Sequence, residues 1–391
     1  MDTDSNATRQ ALDLIRALSV DIGPRRPCSP AEKSAALLLE AWLTERGVAA
    51  GREPFDGYAT FGLPYGIFMA AAFAGGLLQR RGRGIGDLLP AVGLAIASLE
   101  GDLRFTPLSN LLARAPSMNV VARVPAAREP RHTVCLCGHL DTTRSGLIFH
   151  PRVVRHLRAL LQLPAASAAL LAAGPLLRRL RGGKALQTTG LLGMALSLAL
   201  LVERELRGVD VPGANDNASG AAVAAQLAAE CAANPLAHTD VGLLVTSCEE
   251  SGLLGAQAYA RAHAREARQT TFVNFDTVGG DLPLTYIERE GGPSEFRPAS
   301  PRLVALAAEI ARRRPDLGLV PAPTTPGLPT DATVFLARGW EAITFLAQSE
   351  ERGIPHYHLP SDTFDNVAED AVTRVLDTGR EMLRELDRGA G

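Results

Sequence analysis

Five places in this chain set acidic or histidine side chains where an apolar run stops. Gly138-His139-Leu140-Asp141 follows one β-rich run, Asn215-Asp216-Asn217 opens a helical run, and Cys248-Glu249-Glu250 follows a second β-rich run. Asn274-Phe275-Asp276 closes a third, and His356-Tyr357-His358 lies after the last one. Singly, each has an ordinary explanation: His139 as a hydrogen-bonded core histidine, Asp216 as a helix cap, Glu249-Glu250 as a solvated turn. Together they make a mixed imidazole and carboxylate set suited to two zinc-like divalent ions, with no cysteine required. A carboxylate has two oxygens and can bridge two cations, and Asp216 is the candidate bridge. So many acids in one cleft would be costly without cations to balance them. A cation pair of this kind lowers the pKa of a shared water and polarises a scissile carbonyl, while a nearby carboxylate moves the water's proton to the leaving amine.

Such residues meet only if strands deliver them to one edge of a sheet. Strands are expected at 119–124, 133–137, 241–246, 271–275 and 342–346, alternating with Ala-rich helices at 218–233, 253–265, 302–313 and 368–388. That rhythm predicts an α/β fold with a mixed, mostly parallel sheet flanked by helices, whose strand ends converge on one crevice. The polar turn holding Pro125 and Pro130 suggests that 119–124 and 133–137 pair as an antiparallel hairpin. Two helices precede them. Leu12, Ile15 and Leu18 recur at helical spacing within 6–20, and Ser29-Pro30-Ala31-Glu32 supplies a cap, a first-turn proline and a reciprocal glutamate for a second helix that ends at Gly47.

Two stretches break the rhythm. Apolar segments at 61–78 and 88–99 flank the basic turn Gln79-Arg80-Arg81-Gly82-Arg83-Gly84, and segments at 159–177 and 185–202 flank Arg178-Arg179-Leu180-Arg181-Gly182-Gly183-Lys184. Each reads as an apolar helical hairpin inserted into the fold. All but the 88–99 run approach the ~20 residues that cross a bilayer. The reading is therefore a catalytic domain formed by 1–60, 106–150 and 211–391, with insertions at 61–105 and 151–210. Strand direction puts both insertions on the face of the sheet that carries the metal residues. So much contiguous apolar surface is expected to be covered, and membrane contact through 61–99 and 159–202 is the favoured cover over a soluble lid. The basic turns would meet anionic head groups or mark a cytoplasmic end. Sidedness stays open, with a cytoplasmic catalytic domain as the default.

Composition excludes other classes. With 391 residues, 46% hydrophobic and 21% charged, the chain has ample material for a core, so wholesale disorder and a disulfide-stapled miniprotein are poor readings. A net charge of −2 gives no electrostatic case for nucleic acid. The five cysteines, Cys28, Cys135, Cys137, Cys231 and Cys248, have neither CxxC nor zinc-finger spacing and read as free thiols. The start, Met1-Asp2-Thr3-Asp4, lacks the basic-then-apolar pattern of a cleaved signal peptide. A homo-oligomer is compatible with all of this.

The motif series His-x-Asp, Asn-Asp-Asn-x-Ser-Gly, Glu-Glu-x-Gly-Leu-Leu-Gly, Asp-x-Val-Gly and Tyr-His-x-Pro-x-Asp-Thr resembles the M28 family of zinc aminopeptidases in both order and spacing. The likeness covers about 5–60, 115–146 and 211–388 and omits the two apolar hairpins. It implies a zinc-exopeptidase-like fold with two divalent ions, most simply Zn2+, and a peptide substrate with a free N-terminus. One ion would be held by His139, Asp216 and Asp276, the other by Asp216, Glu250 and His358. Asp141 would orient His139, and Glu249, free of the metals, would be the general base. The resemblance also implies a cis peptide bond between Asp216 and Asn217. His356 is the rival to His358, but the Pro360-Ser361-Asp362 spacing fits His358. One departure stands out: the family often has Ser-Asp-His before its last strand, and this chain has Thr330-Asp331-Ala332.

Three other functions compete. A glutaminyl cyclase of the same fold would use one zinc and an aromatic-lined pocket, and neither Trp42 nor Trp340 adjoins the metal motifs in sequence. A non-catalytic binding domain of this fold would have lost ligands, whereas every ligand position here is filled. A serine or cysteine hydrolase is disfavoured because no Gly-x-Ser-x-Gly elbow occurs and Cys248 has no assigned histidine partner.

Overall fold

The helix over Pro30–Glu45 begins as the sequence signature requires. Ser29 accepts a hydrogen bond from the Glu32 amide (3.1 Å), and the Glu32 carboxylate reaches back one residue past the cap to accept the Cys28 amide (2.8 Å), with Pro30 in the first turn. The computed structural model describes residues 3–82, 84–292, 295–325, 328–349 and 353–389. Its helices are α1 (Thr3–Arg16), α2 (Pro30–Glu45), α3 (Gly62–Arg80), α4 (Ile85–Asp102), α5 (Pro107–Leu112), α6 (Leu157–Ala172), α7 (Gly174–Leu177), α8 (Gly183–Arg207), α9 (Gly220–Ala233), α10 (Leu254–Ala262), α11 (Pro301–Arg313), α12 (Asp331–Leu336) and α13 (Glu369–Gly389). Its strands are β1 (Ala50–Gly57), β2 (Ala115–Val124), β3 (His132–His139), β4 (Thr239–Thr246), β5 (Thr270–Asp276), β6 (Leu284–Ile287), β7 (Arg289–Gly292), β8 (Glu295–Pro298), β9 (Leu319–Ala322) and β10 (Ala342–Ala347).

Eight strands form one mixed sheet in the order β1-β2-β4-β3-β5-β10-β6-β9, with β4, β3, β5 and β10 running parallel at its centre. Period-two alternation sorts their side chains into two layers. Val134 and Leu136 join the larger core, formed with Leu243, Phe275 and Phe345 beneath α1, α2, α9, α11 and α13. Cys135, Cys137, Leu244 and Phe272 face the opposite layer, with Ala256 of α10 and Phe335 of α12. The five cysteines are free.

The expected hairpin of 119–124 with 133–137 does not form. β4 lies between β2 and β3, antiparallel to the first and parallel to the second. A strand apolar on both faces, as Val241, Leu243, Leu244 and Val245 make β4, is buried best inside a sheet, and β4 takes such an interior position between β2 and β3. The relative direction of β2 and β3 is nevertheless as expected, so the start of β2 and the end of β3 lie on the same side of the sheet.

On that side, α3, α4, α6 and α8 pack into a four-helix bundle with its own small core of Phe68, Met69, Ala72, Ala168, Leu171, Leu191, Met194 and Leu201. The 159–177 segment is two helices, α6 and α7, with Pro164 inside α6. Arg83, in the first basic turn, lies outside the described residues.

Replacing Ser29 with Ala removes the α2 cap and is expected to lower stability by about 1 kcal/mol. A shift in the urea midpoint at unchanged slope would measure it.

Candidate metal centre

The carboxyl ends of the four central parallel strands bring the predicted residues together. His139 ends β3, Asp276 ends β5, Glu249 and Glu250 follow β4, and His358 stands in the segment after β10. Asp216 enters from the loop before α9, through a cis Asp216–Asn217 peptide as the motif implied. All six are buried or nearly so, with Glu249 only 9% exposed.

Two clusters of ligand atoms result, each within 4.8 Å: His139 with Glu249 and Asp276, and Asp216 with Glu250 and His358. Asp216 reaches toward both. Its Oδ1 is 3.3 Å from His139 Nε2 and its Oδ2 is 3.1 Å from His358 Nε2, while Glu250 Oε1 is 3.3 Å from the same His358 nitrogen. Glu249 Oε2 lies 4.0 Å from His139 Nε2. Glu249 therefore borders the first cluster, near enough to ligate or to take a proton from a water held there.

The electrostatics are those of a crowded acid site. Burial pushes Asp276 up to about 6, with His139 opposing and Asp216 adding to the rise. Burial likewise drives Glu249 well above the usual carboxylate range, against the pull of His139 and with Glu250 and Asp331 adding to it. Burial also acts to raise Asp216, but the pull of the adjacent His139 and His358 imidazoles outweighs it and holds this carboxyl below its ordinary value. For His358 burial lowers the pKa, and Glu250 and Asp216 reverse it to about 9.

This donor set fits divalent cations. Asp216 Oδ2 and Glu250 Oε1 are buried acceptors without a hydrogen-bond partner of good geometry, despite the nearby imidazole, and both point into the same cluster. Imidazole nitrogen and carboxylate oxygen, all facing one space and without thiolate, are the ligands that zinc-type ions take in hydrolytic sites.

Asp141 meets His139 through its main chain rather than its carboxylate. Its carboxylate is 3.7 Å from His139 Nδ1, which instead lies 3.1 Å from the Asp141 main-chain carbonyl. The two carboxylate oxygens accept the amides of Glu249 (3.0 Å) and Glu250 (2.9 Å), so this side chain orients the Glu249-Glu250 pair through its backbone. Asp362 does the same for the bridge candidate, accepting the amides of Asn215 (2.8 Å) and Asp216 (3.0 Å). His356 bonds Ser361 Oγ (2.9 Å) and belongs to neither cluster.

Sequence reasoning missed Arg25. Fully buried, it donates to the carbonyls of Leu18, Gly23, Leu140, Pro212 and Gly213 at 2.8–2.9 Å. The Leu140 carbonyl lies between His139 and Asp141 and those of Pro212 and Gly213 precede Asp216, so one guanidinium ties these two segments to the turn after α1. Burial lowers its pKa to about 10, with Asp362, Asp141 and Asp216 opposing. Its only signal was a polar residue in the proline-rich turn Gly23-Pro24-Arg25-Arg26-Pro27. The aromatic wall was also missed: Phe149 meets the His358 ring edge-on at 4.3 Å between centroids, and Tyr357 stacks on it at 3.9 Å. Trp42 and Trp340 pack elsewhere, Trp42 beneath Arg46 and Trp340 with Phe272 and Phe335. At the departure site, Asp331 is buried and accepts the hydroxyl of Thr246, while its Oδ1 has no partner.

The resemblance read from the motifs holds: residues 198–383 match peptidase family M28. No curated protein matches the chain by sequence. Among solved structures, the fold is similar to a zinc aminopeptidase from Bacillus subtilis, with 15% identity, 97% of this chain and 95% of that chain covered, and a TM-score of 0.58. It is also similar to glutaminyl cyclase from Porphyromonas gingivalis (14% identity, 97% and 98% covered, TM-score 0.58). A leucine aminopeptidase precursor from Bacteroides thetaiotaomicron gives 14% identity, 96% of each chain and a TM-score of 0.58. At such identities the likeness is one of fold.

Arg25→Met takes the guanidinium from five carbonyls, of which those of Leu18 and Gly213 keep an amide donor, and at ~1–3 kcal/mol for each unsatisfied buried group the loss should be about 3 kcal/mol. Arg25→Lys, with at most three donors, should recover only part of it. Chemical denaturation of the two variants beside the parent gives the order; equal stability of all three would contradict it.

Proposed function

We propose that this chain, carrying the M28 match over residues 198–383, is a metal-dependent exopeptidase that hydrolyses N-terminal peptide bonds. The observation that carries the reading is the pair of buried ligand clusters at the strand ends, His139 with Glu249 and Asp276, and Asp216 with Glu250 and His358. In this reading His139, Asp216 and Asp276 hold one divalent ion and Asp216, Glu250 and His358 the other, with zinc the natural occupant of such ligands. When bound, such a pair supplies an acidified water and a polarised carbonyl. The chain supplies the rest. Glu249 accepts the water's proton on its carboxylate and returns it to the leaving amine nitrogen. Asp141 and Asp362 fix the backbones from which Glu249, Glu250 and Asp216 project, and Phe149 and Tyr357 shield one side of His358 from water.

The division into a catalytic domain (1–60, 106–150, 211–391) and two insertions (61–105, 151–210) belongs to the same proposal, as does membrane association through 61–99 and 159–202. A glutaminyl cyclase reading is retained as the second, because the aromatic side chains beside His358 and the cyclases among the fold neighbours both favour it.

Chelation should remove activity and lower the melting temperature together, and zinc should restore both. Glu249→Gln should keep its metal and lose about 10²–10⁴-fold in turnover, the usual contribution of proton transfer, whereas Asp216→Ala should lose metal as measured by elemental analysis. Equal metal loss in the two variants would show that Glu249 is a ligand. Failure of the zinc-loaded protein on aminoacyl and dipeptide substrates, with conversion of N-terminal glutamine to a ring, would replace the exopeptidase with the cyclase.

A further inference from the structure

The four-helix bundle is apolar outside as well as inside. α3 and α8 are apolar enough to cross a membrane, yet only 39% and 33% of their most apolar stretches are buried within the protein. The outward positions are large and apolar: Leu63, Ile67, Leu77, Leu192, Leu196 and Val202 are each 42–66% exposed. A helix on the surface of a soluble domain turns such residues inward. Inside, beside the small core of Phe68, Met69, Leu171, Leu191 and Met194, the closest helix contacts are made by small and polar groups. Gly86 lies against the backbone of Gln79 and Gly75 and Gly193 against Ser167, where an added methyl group would clash, and Gly190 packs tightly on Leu170, Leu171 and Ser167. Gln79 donates to the Leu171 carbonyl (2.7 Å) and Gln187 to that of Gly174 (3.0 Å). Close approach through glycine and serine, with amide side chains bonding across helices, is how helices associate where lipid removes the hydrophobic drive.

The bundle has a polar boundary at each end. At its far end Arg178 pairs with Asp87 (2.6 Å) and Arg80 bonds Thr188 (2.8 Å). At its foot Arg204 of α8 pairs with Glu205 (2.8 Å), and Glu100 of α4 accepts the Leu108 amide that opens α5 (2.6 Å). Between them α3 runs 19 residues, which at 1.5 Å each is about 28 Å, close to the ~30 Å of a hydrocarbon core. The foot is also the wall of the catalytic cleft. Ala59, Thr60 and Arg204 line a small cleft of about 10 Å³ together with Thr142, Thr143 and Glu250. Arg204 donates to Thr143 Oγ1 (2.8 Å), next to the loop that holds Asp141.

We infer that the bundle spans a phospholipid bilayer and that its foot holds the catalytic cleft at head-group level, so that the substrates are N-termini of peptides tethered to or lying on that same membrane. The substrate part rests on the exopeptidase reading; the placement of the bundle does not.

The test uses the full chain in vesicles of phosphatidylcholine and phosphatidylglycerol. Spin labels on Leu192→Cys and Leu206→Cys, both at exposed positions, with the unsubstituted chain as the labelling control, report depth. Leu192→Cys should be reached by oxygen and shielded from a water-soluble nickel chelate, and Leu206→Cys should meet both. Free access of the chelate to Leu192→Cys overturns the inference. One peptide, free or carrying a C-terminal acyl chain, then reports the substrate. With the acylated peptide in the enzyme's own vesicles, kcat/KM should exceed that of the free peptide by about tenfold or more, since tethering raises the local concentration, and acylated peptide on separate vesicles should show no gain. Equal rates for all three overturn the substrate class. If neither peptide is cut while the labels report lipid, the exopeptidase reading falls and the spanning bundle stands.

Discussion

Four carboxylates and two imidazoles pressed into one buried space cannot stay there on their own account. Like charges a few ångströms apart in a weakly polarisable interior repel strongly, and each buried carboxylate also forgoes its hydration. The opposing shifts of Asp216, held low by two histidines, and of Asp276 and Glu249, driven up by burial, express that conflict. Everything around the centre can be understood as the means of keeping these groups together despite it.

Those means are mostly backbone ties. Asp141 and Asp362 direct both oxygens to main-chain amides next to the ligands, and Arg25 directs its guanidinium to five carbonyls. Because each tie grips main chain, the ligand side chains keep their lone pairs free to face inward. The insertions join the same scheme, since Arg204 bonds Thr143 and its guanidinium lies over the Phe61 ring where α3 begins. The bundle and the catalytic body thus share a boundary within a side chain's length of Glu250.

Much of this was legible in the sequence because acidic and histidine residues interrupt apolar strands only where something compensates them. His139, Asp216, Glu250, Asp276 and His358 announced themselves in that way, and the sheet followed from runs such as Val241–Val245. What local pattern could not supply was strand order. Whether β4 lies beside β2 and β3 or between them is decided by tertiary packing of two apolar faces, to which the short connection between β2 and β3 is a misleading guide. Arg25 was illegible for the opposite reason: arginine is ordinarily a surface residue, and its burial makes sense only once five carbonyls from distant segments converge on it. Asp141 does meet His139, but through its carbonyl, while its carboxylate takes the Glu249 and Glu250 amides, because residue type predicts that a carboxylate will accept hydrogen bonds without predicting which donors reach it.

The central claim is that Asp216 joins two cation sites. Diffraction from zinc-grown crystals on either side of the zinc absorption edge tests it most directly. The account predicts two anomalous peaks, one against His139 and Asp276 and one against Glu250 and His358, with an oxygen of Asp216 directed at each. A single peak, or two peaks in which Glu249 coordinates and Asp216 touches only one ion, would contradict it.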